Sequence, residues 1–224
     1  LPRVDNFDYK FFDISPREAS LMDPNQRLFL QTAWNALVDA GYTKNQLSQS
    51  RTGVYLGYAN APLYSQMITK YLPSYSTIAT SGNVSSIIAS RISYLLNLRG
   101  PSMLIDTACS SSLVAVHIAC KSLLTGDCDM AIAGGVKIDL LPVLGLAEIG
   151  IEASENKTMT FDDNSTGTVW GEGCAALLLK PLKQAVKDRD HIYAVIKGSA
   201  ANQDGASVGI TAPNVLAQEQ VLCD

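Results

Sequence analysis

Strands alternating with helices along the chain predict an α/β fold with a mostly parallel sheet covered on both faces. Two patterns carry this. Short apolar runs at 52–58, 103–105, 130–136 and 171–180 read as strands, each followed by residues with helical character. After Cys109, apolar residues fall on every side of a helix (Leu113, Val114, Val116, Ile118, Ala119, Leu123, Leu124), which predicts a helix buried all round. With 224 residues and 47% hydrophobic content, the chain can bury a sizeable core as one large domain or as two halves.

The elements follow in order. Ser15-Pro16 and Asp23-Pro24 are two successive helix starts, each a capping residue followed by proline at the first helical position. The second opens an amphipathic helix through Leu30, Ala33, Trp34, Leu37 and Val38, closed by Gly41. Its start, Asp23-Pro-Asn-Gln-Arg, reads as a capped surface helix without chemistry. Residues 52–58 form the first strand, 61–76 a loop or short helices, and Thr80-Ser-Gly-Asn caps a helix from about Val84 to Leu96, ending before Gly100-Pro101. Two glycines, Gly134-Gly135, inside the buried strand 130–136 suggest a bulge or a close backbone approach. Residues 140–149 read as an apolar helix entered through Pro142, 154–167 as a loop and 171–180 as a strand. Pro181 opens a helix, and 191–198 reads as a last strand.

The chemistry centres on residues 101–124. Cys109 falls on the turn between a short strand and the first turn of the apolar helix, where unpaired backbone N–H groups and the positive end of the macrodipole favour an anion. The thiolate is the nucleophilic form of cysteine, and the same N–H groups could hold the oxyanion formed when a thioester carbonyl is attacked.

Asp106-Thr-Ala-Cys-Ser-Ser-Ser-Leu-Val-Ala resembles, almost letter for letter, the active-site motif of the ketosynthase domains of modular polyketide synthases. The Asp23-Pro-Asn-Gln-Arg start is similar to a second ketosynthase motif, with Asn25 where the family usually carries Gln. Phe161-Asp162, Gly171-Glu-Gly, Ser199 to Gly205 and Thr211-Ala-Pro-Asn match further landmarks. The resemblance implies a thiolase-like layered α-β-α-β-α fold: residues 1–190 as the N-terminal half carrying the nucleophile, and 191–224 as the truncated beginning of the C-terminal half. It implies a beta-ketoacyl synthase, in which Cys109 is acylated and condenses with a malonyl-type unit. Its substrates would ride on the phosphopantetheine of an acyl carrier protein, with no cofactor bound directly. Other implied partners are polyketide synthase domains such as an acyltransferase, and a second copy in a homodimer. Ile78 and Asn83 become candidate linings of the acyl pocket and Thr211 a candidate for the pantetheine or malonyl channel. The family's two histidines, lysine and glycine-rich loop would lie after Asp224, so this segment alone is expected to be inactive. Trp170, in place of a frequent Arg, and Ser165-Thr166, in place of an Ala-Asp pair, depart from the family.

Other chemistries find less support. Gly205-Ala-Ser207-Val-Gly209 spells a hydrolase nucleophile elbow but lacks the strand before it and the helix after it. His117 and Cys120 lie three apart without a second ligand pair, short of a zinc site, and His191 is expected at the surface. The glycine spacings of nucleotide-binding loops are missing. A net charge of -4 without a basic block argues against a nucleic-acid partner. The apolar runs fall short of the roughly 18 residues that span a bilayer, so no membrane partner is expected. Five cysteines, an odd number without an initial signal segment, point to free thiols in the cytoplasm, which gives the three N-glycosylation sequons little weight. Both chain ends read as cuts. The remaining alternatives are a non-elongating, acyl-transferring ketosynthase and a catalytically incomplete scaffold or docking segment.

Overall fold

A computed structural model describes residues 4–59, 62–140, 151–155 and 157–224. Helices α1 (Pro16–Leu21) and α2 (Pro24–Asp39) begin as their sequences predict: Ser15 Oγ accepts from Glu18 N–H at 3.1 Å, and Asp23 Oδ1 accepts from Asn25 N–H at 2.8 Å. Gly41, at φ 80°, ends the turn after α2. A reciprocal pair between Thr43 and Gln46 starts α3 (Lys44–Leu47), and strand β1 (Thr52–Gly57) follows, buried throughout. The stretch expected to be a loop or short helices holds α4 (Leu63–Tyr71), a 3₁₀ turn and α5 (Ser76–Ala79).

The next helix, α6 (Ile87–Leu96), starts later than expected. Thr80–Gly82 forms its own 3₁₀ turn instead of a cap, and Asn97, in the left-handed region at φ 54°, ends the helix. Then come β2 (Ser102–Ile105), α7 (Ser111–Thr125), β3 (Met130–Lys137), β4 (Gly173–Leu179), α8 (Leu182–Asp188) and α9 (Val215–Cys223). The expected helix at 140–149 lies almost wholly outside the described residues.

The four strands form one sheet in the order β2-β1-β3-β4, parallel except for β4, which runs antiparallel at the edge. Alternation along the central strands divides the core. Val54, Leu56, Ile132 and Val136 pack with α2 and α6, whereas Tyr55, Ala131 and Ala133 pack with Ala115 and Ala119 of α7. Alanines face alanines across much of the α7 contact, beside the large Tyr55.

Two expectations change here. The α7 helix is not buried all round: Ser111, Ala115, Ala119 and Ser122 meet the sheet, while Leu113 and Leu124 stay 76% and 81% exposed. With its preceding turn, α7 is also apolar and long enough, by composition alone, to cross a bilayer. Its small-residue face, packed on three strands, instead makes it the helix that covers this side of the sheet. Residues 191–198, expected as a strand, are irregular and exposed and pair with none of the described strands.

Candidate active site

Strands β1 and β2 end level, and β3 runs two residues further. Ile105 of β2 pairs with Gly57 of β1, and Gly57 pairs with Gly135 of β3. Two glycines therefore lie side by side at the carboxyl edge, and the first turn of α7 rests on them. A Cβ on Gly57 would overlap the backbone of Ser111 and Ser112, and one on Gly135 would lie 2.7 Å from Ser112 Cβ. At Gly134 a Cβ would meet the carbonyl oxygen of Ala175. The glycine pair thus marks close backbone approach and no bulge, since β3 and β4 stay in register from Ala131 to Lys137.

Between β2 and α7, the chain passes through Asp106 and Thr107 into a 3₁₀ turn, Ala108–Ser110, that carries Cys109. Its own side chains hold this turn. Asp106 Oδ1 accepts from Ala108 N–H at 3.1 Å, and Ser110 Oγ donates to Thr107 C=O at 2.8 Å. Ser111 Oγ accepts from Thr107 N–H at 2.9 Å and donates to Ala108 C=O at 2.7 Å. Ala108 sits in the left-handed region at φ 54°, a conformation that costs a residue with a side chain about 1–2 kcal/mol. The result is an exposed thiol at the mouth of a 15-residue helix. The first N–H groups of the turn to donate into it are those of Ser110 and Ser111, to Thr107 C=O and Ala108 C=O, one and two residues past Cys109.

The other candidate residues fall elsewhere. Ile78, 52% exposed, lies on α5, which packs on α1 and α4. Asn83 lines a cleft of about 240 Å³ with Ser65, Ile68, Thr69 and Thr80. Its amide nitrogen donates to Leu21 C=O and Ala79 C=O, both at 2.7 Å, and leaves its oxygen buried without a partner. Thr211 is exposed in a turn-rich segment before α9.

The Asp23-Pro-Asn-Gln-Arg start corrects the expectation of a surface helix: Asn25 and Gln26 are only 3% and 1% exposed. Asn25 Oδ1 accepts the N–H of Ile138, the first residue past β3, at 2.8 Å, and Gln26 Oε1 accepts from Arg91 of α6 at 2.6 Å. Arg91 continues to Glu18 at 2.7 Å and to Ser81 C=O at 3.1 Å. Partners 113 and 65 residues away build this hub, so the local pattern carried no signal for it. Trp170 has a local explanation as well: its ring lies under Lys137 Nζ at 4.2 Å, at the end of β3.

The remaining motifs stay chemically quiet. Ser207 Oγ donates to Gly209 C=O, 2.6 Å away, in an exposed turn without flanking strand or helix. His117 is not a sealed core residue; its Nδ1 lies 2.9 Å from Ser199 Oγ. His191 is exposed, its ring edge-on to that of Tyr193. Burial pushes the Cys120 and Cys128 thiols up and that of Cys174 to about 11. Among the described residues, His, Cys, Asp and Glu form no cluster of three or more that could hold a metal ion.

An exposed cysteine on a strand-to-helix turn, at the carboxyl edge of a mainly parallel sheet, places an accessible thiol on an α/β framework. The chain belongs to the beta-ketoacyl synthase family, as the N-terminal domain of a polyketide synthase ketosynthase: residues 1–185 match the model of the "Beta-ketoacyl synthase, N-terminal domain". It is 49% identical over 224 residues to one of the phenolphthiocerol/phthiocerol polyketide synthase subunits of Mycobacterium tuberculosis, a match covering 99% of this chain and 12% of that protein. It is 46% identical to polyketide synthase PksN of Bacillus subtilis, over 98% of this chain and 4% of the relative. Among solved structures, the ketosynthase from module 6 of the Bacillus subtilis bacillaene synthase superposes with a TM-score of 0.88 at 43% identity, covering 99% of this chain and 38% of its own. The oxazolomycin ketosynthase domain OzmH KS7 of Streptomyces albus gives 0.89 at 37% identity, with the same coverage. The sheet and its helices match the N-terminal half of this thiolase-like fold.

Proposed function

We propose that this domain accepts an acyl group on Cys109 and extends it by decarboxylative condensation. The observation that carries the reading is the exposed Cys109 thiol on a side-chain-bound turn at the head of α7. Cys109 Sγ attacks the thioester carbonyl of an acyl group on the phosphopantetheine of an acyl carrier protein. The carbon–sulfur bond to pantetheine breaks, and the released thiolate takes up a proton. A malonyl-type thioester then loses carbon dioxide, and the electron pair of the broken carbon–carbon bond attacks the acyl-Cys109 carbonyl. Cys109 leaves as the thiolate, and a β-ketoacyl thioester remains on the carrier. The covalent intermediate splits one hard step into two easier ones.

In the full-length protein, Cys109→Ala is expected to abolish acyl loading, read as the mass of the acylated active-site peptide after incubation with acyl carrier protein. Loading that persists in the variant counts against the reading. Loading on Cys109 without any β-keto product would instead identify a non-elongating transferase, and no loading on the wild-type protein a scaffold.

A further inference from the structure

We propose that Ser111 is a positioning residue that aims the backbone N–H of Cys109, an assignment that rests on Cys109 being the acyl acceptor. Ala108 C=O and Cys109 N–H belong to one planar peptide unit and point in opposite directions. The Ser111 hydroxyl, at 2.7 Å, joins the Ser111 backbone N–H in donating to that carbonyl, so the N–H at the other end of the plane is turned away from Ser111. The same oxygen accepts Thr107 N–H at 2.9 Å, which holds the residue just before the left-handed Ala108. One hydroxyl therefore binds the chain on both sides of the strained residue. Ser111 is itself buried, in the turn of α7 that rests on Gly57, and cannot swing away.

The reacting thioester needs that N–H at the position of its developing oxyanion. Alkylation of the thiol by iodoacetamide builds no oxyanion and does not need it. The two reactions therefore separate aim from exposure.

The test compares wild-type, Ser111→Ala and Ser111→Thr forms of the full-length protein. Each is assayed for acylation of Cys109 by hexanoyl-N-acetylcysteamine and, separately, for alkylation by iodoacetamide. Ser111→Ala is expected to lower kcat for acylation by about tenfold or more at unchanged KM, with alkylation within about twofold of wild type. Ser111→Thr, which keeps the hydroxyl, is expected to restore acylation. Equal acylation of wild type and Ser111→Ala, or a parallel fall in acylation and alkylation, overturns the positioning role while leaving Cys109 as the acyl acceptor. A wild-type protein that alkylates at Cys109 but takes up no acyl group overturns that reading and, with it, this one. Should Ser111→Ala fail to fold, hydrogen exchange in the wild type decides. Slow exchange of the Thr107 amide supports the bond to Ser111, and exchange at the free-peptide rate refutes it.

Discussion

Individual thiols and amides show how burial sorts residues of one type into different roles. Cys109 and Cys223 are exposed, whereas Cys120, Cys128 and Cys174 have thiols pushed up by burial. At mildly alkaline pH, iodoacetamide is expected to modify Cys109 and Cys223 before the other three, followed by peptide mass mapping; earlier modification of Cys174 would contradict the packing. Asn25 has a different task, since its carboxamide oxygen is the acceptor for Ile138 N–H where the chain leaves β3. Asn25→Ala leaves that buried donor unpaired and is expected to lower the unfolding free energy by about 1–3 kcal/mol in urea titration. Asn25→Gln, which keeps an acceptor, should cost less. The capping pattern at Asp23-Pro24 was legible because a cap is satisfied within three residues. The Asn25 contact was not, because its partner lies 113 residues away.

Among the elements, α7 shows most clearly what local pattern omits. Its apolar residues occupy every side, yet only the stripe of Ser111, Ala115, Ala119 and Ser122 is fully buried, with Val114, Val116, Ile118 and Leu123 partly buried beside it. Side-chain size contributes to this: the strand residues beneath it include Ala131, Ala133, Gly57 and Gly135 beside the large Tyr55, and the glycines leave room only for the backbone of the first helical turn. Gly57→Ala would push against the backbone of α7 at Ser111 and Ser112, which cannot rotate away as a side chain can. A loss of about 1–3 kcal/mol is expected by urea unfolding. Acyl loading on Cys109 should fall with it, because the displaced turn carries the thiol. An unaltered unfolding midpoint in Gly57→Ala would show that α7 does not rest on this strand end.

For the molecule as a whole, several buried groups respond to alkaline pH in the same direction. Burial pushes the Cys174 thiol up to about 11 and the Tyr55 hydroxyl up to about 12. At Lys180, burial pulls the ammonium down, but Asp188, Asp190 and Tyr42, at 2.5, 2.6 and 2.7 Å, outweigh it and raise it. All three groups hold their protons longer in the folded protein than in the unfolded chain. Their contribution is therefore complete below the unfolded values of 9.0, 10.0 and 10.5 and is lost as pH rises through the folded ones. Urea titrations are expected to show a steady unfolding free energy between about pH 7 and pH 9 and a falling one by about pH 10.5. Stability that holds or rises over that last interval would contradict the assignment.

Strands β1 to β4, helices α2 and α7, the caps at Ser15 and Asp23 and the cysteine turn were readable from residue order, because each depends on neighbours within a few positions. The long active-site spelling around Cys109 added the family. Tertiary structure alone decided that β4 runs antiparallel, that residues 191–198 form no strand, and that the start of α2 is a buried polar hub. It also decided which face of α7 the sheet takes and that Ser111 grips the Cys109 turn from behind. These are matters of which distant backbone groups meet and how much room lies between them, and neither quantity is written in local periodicity.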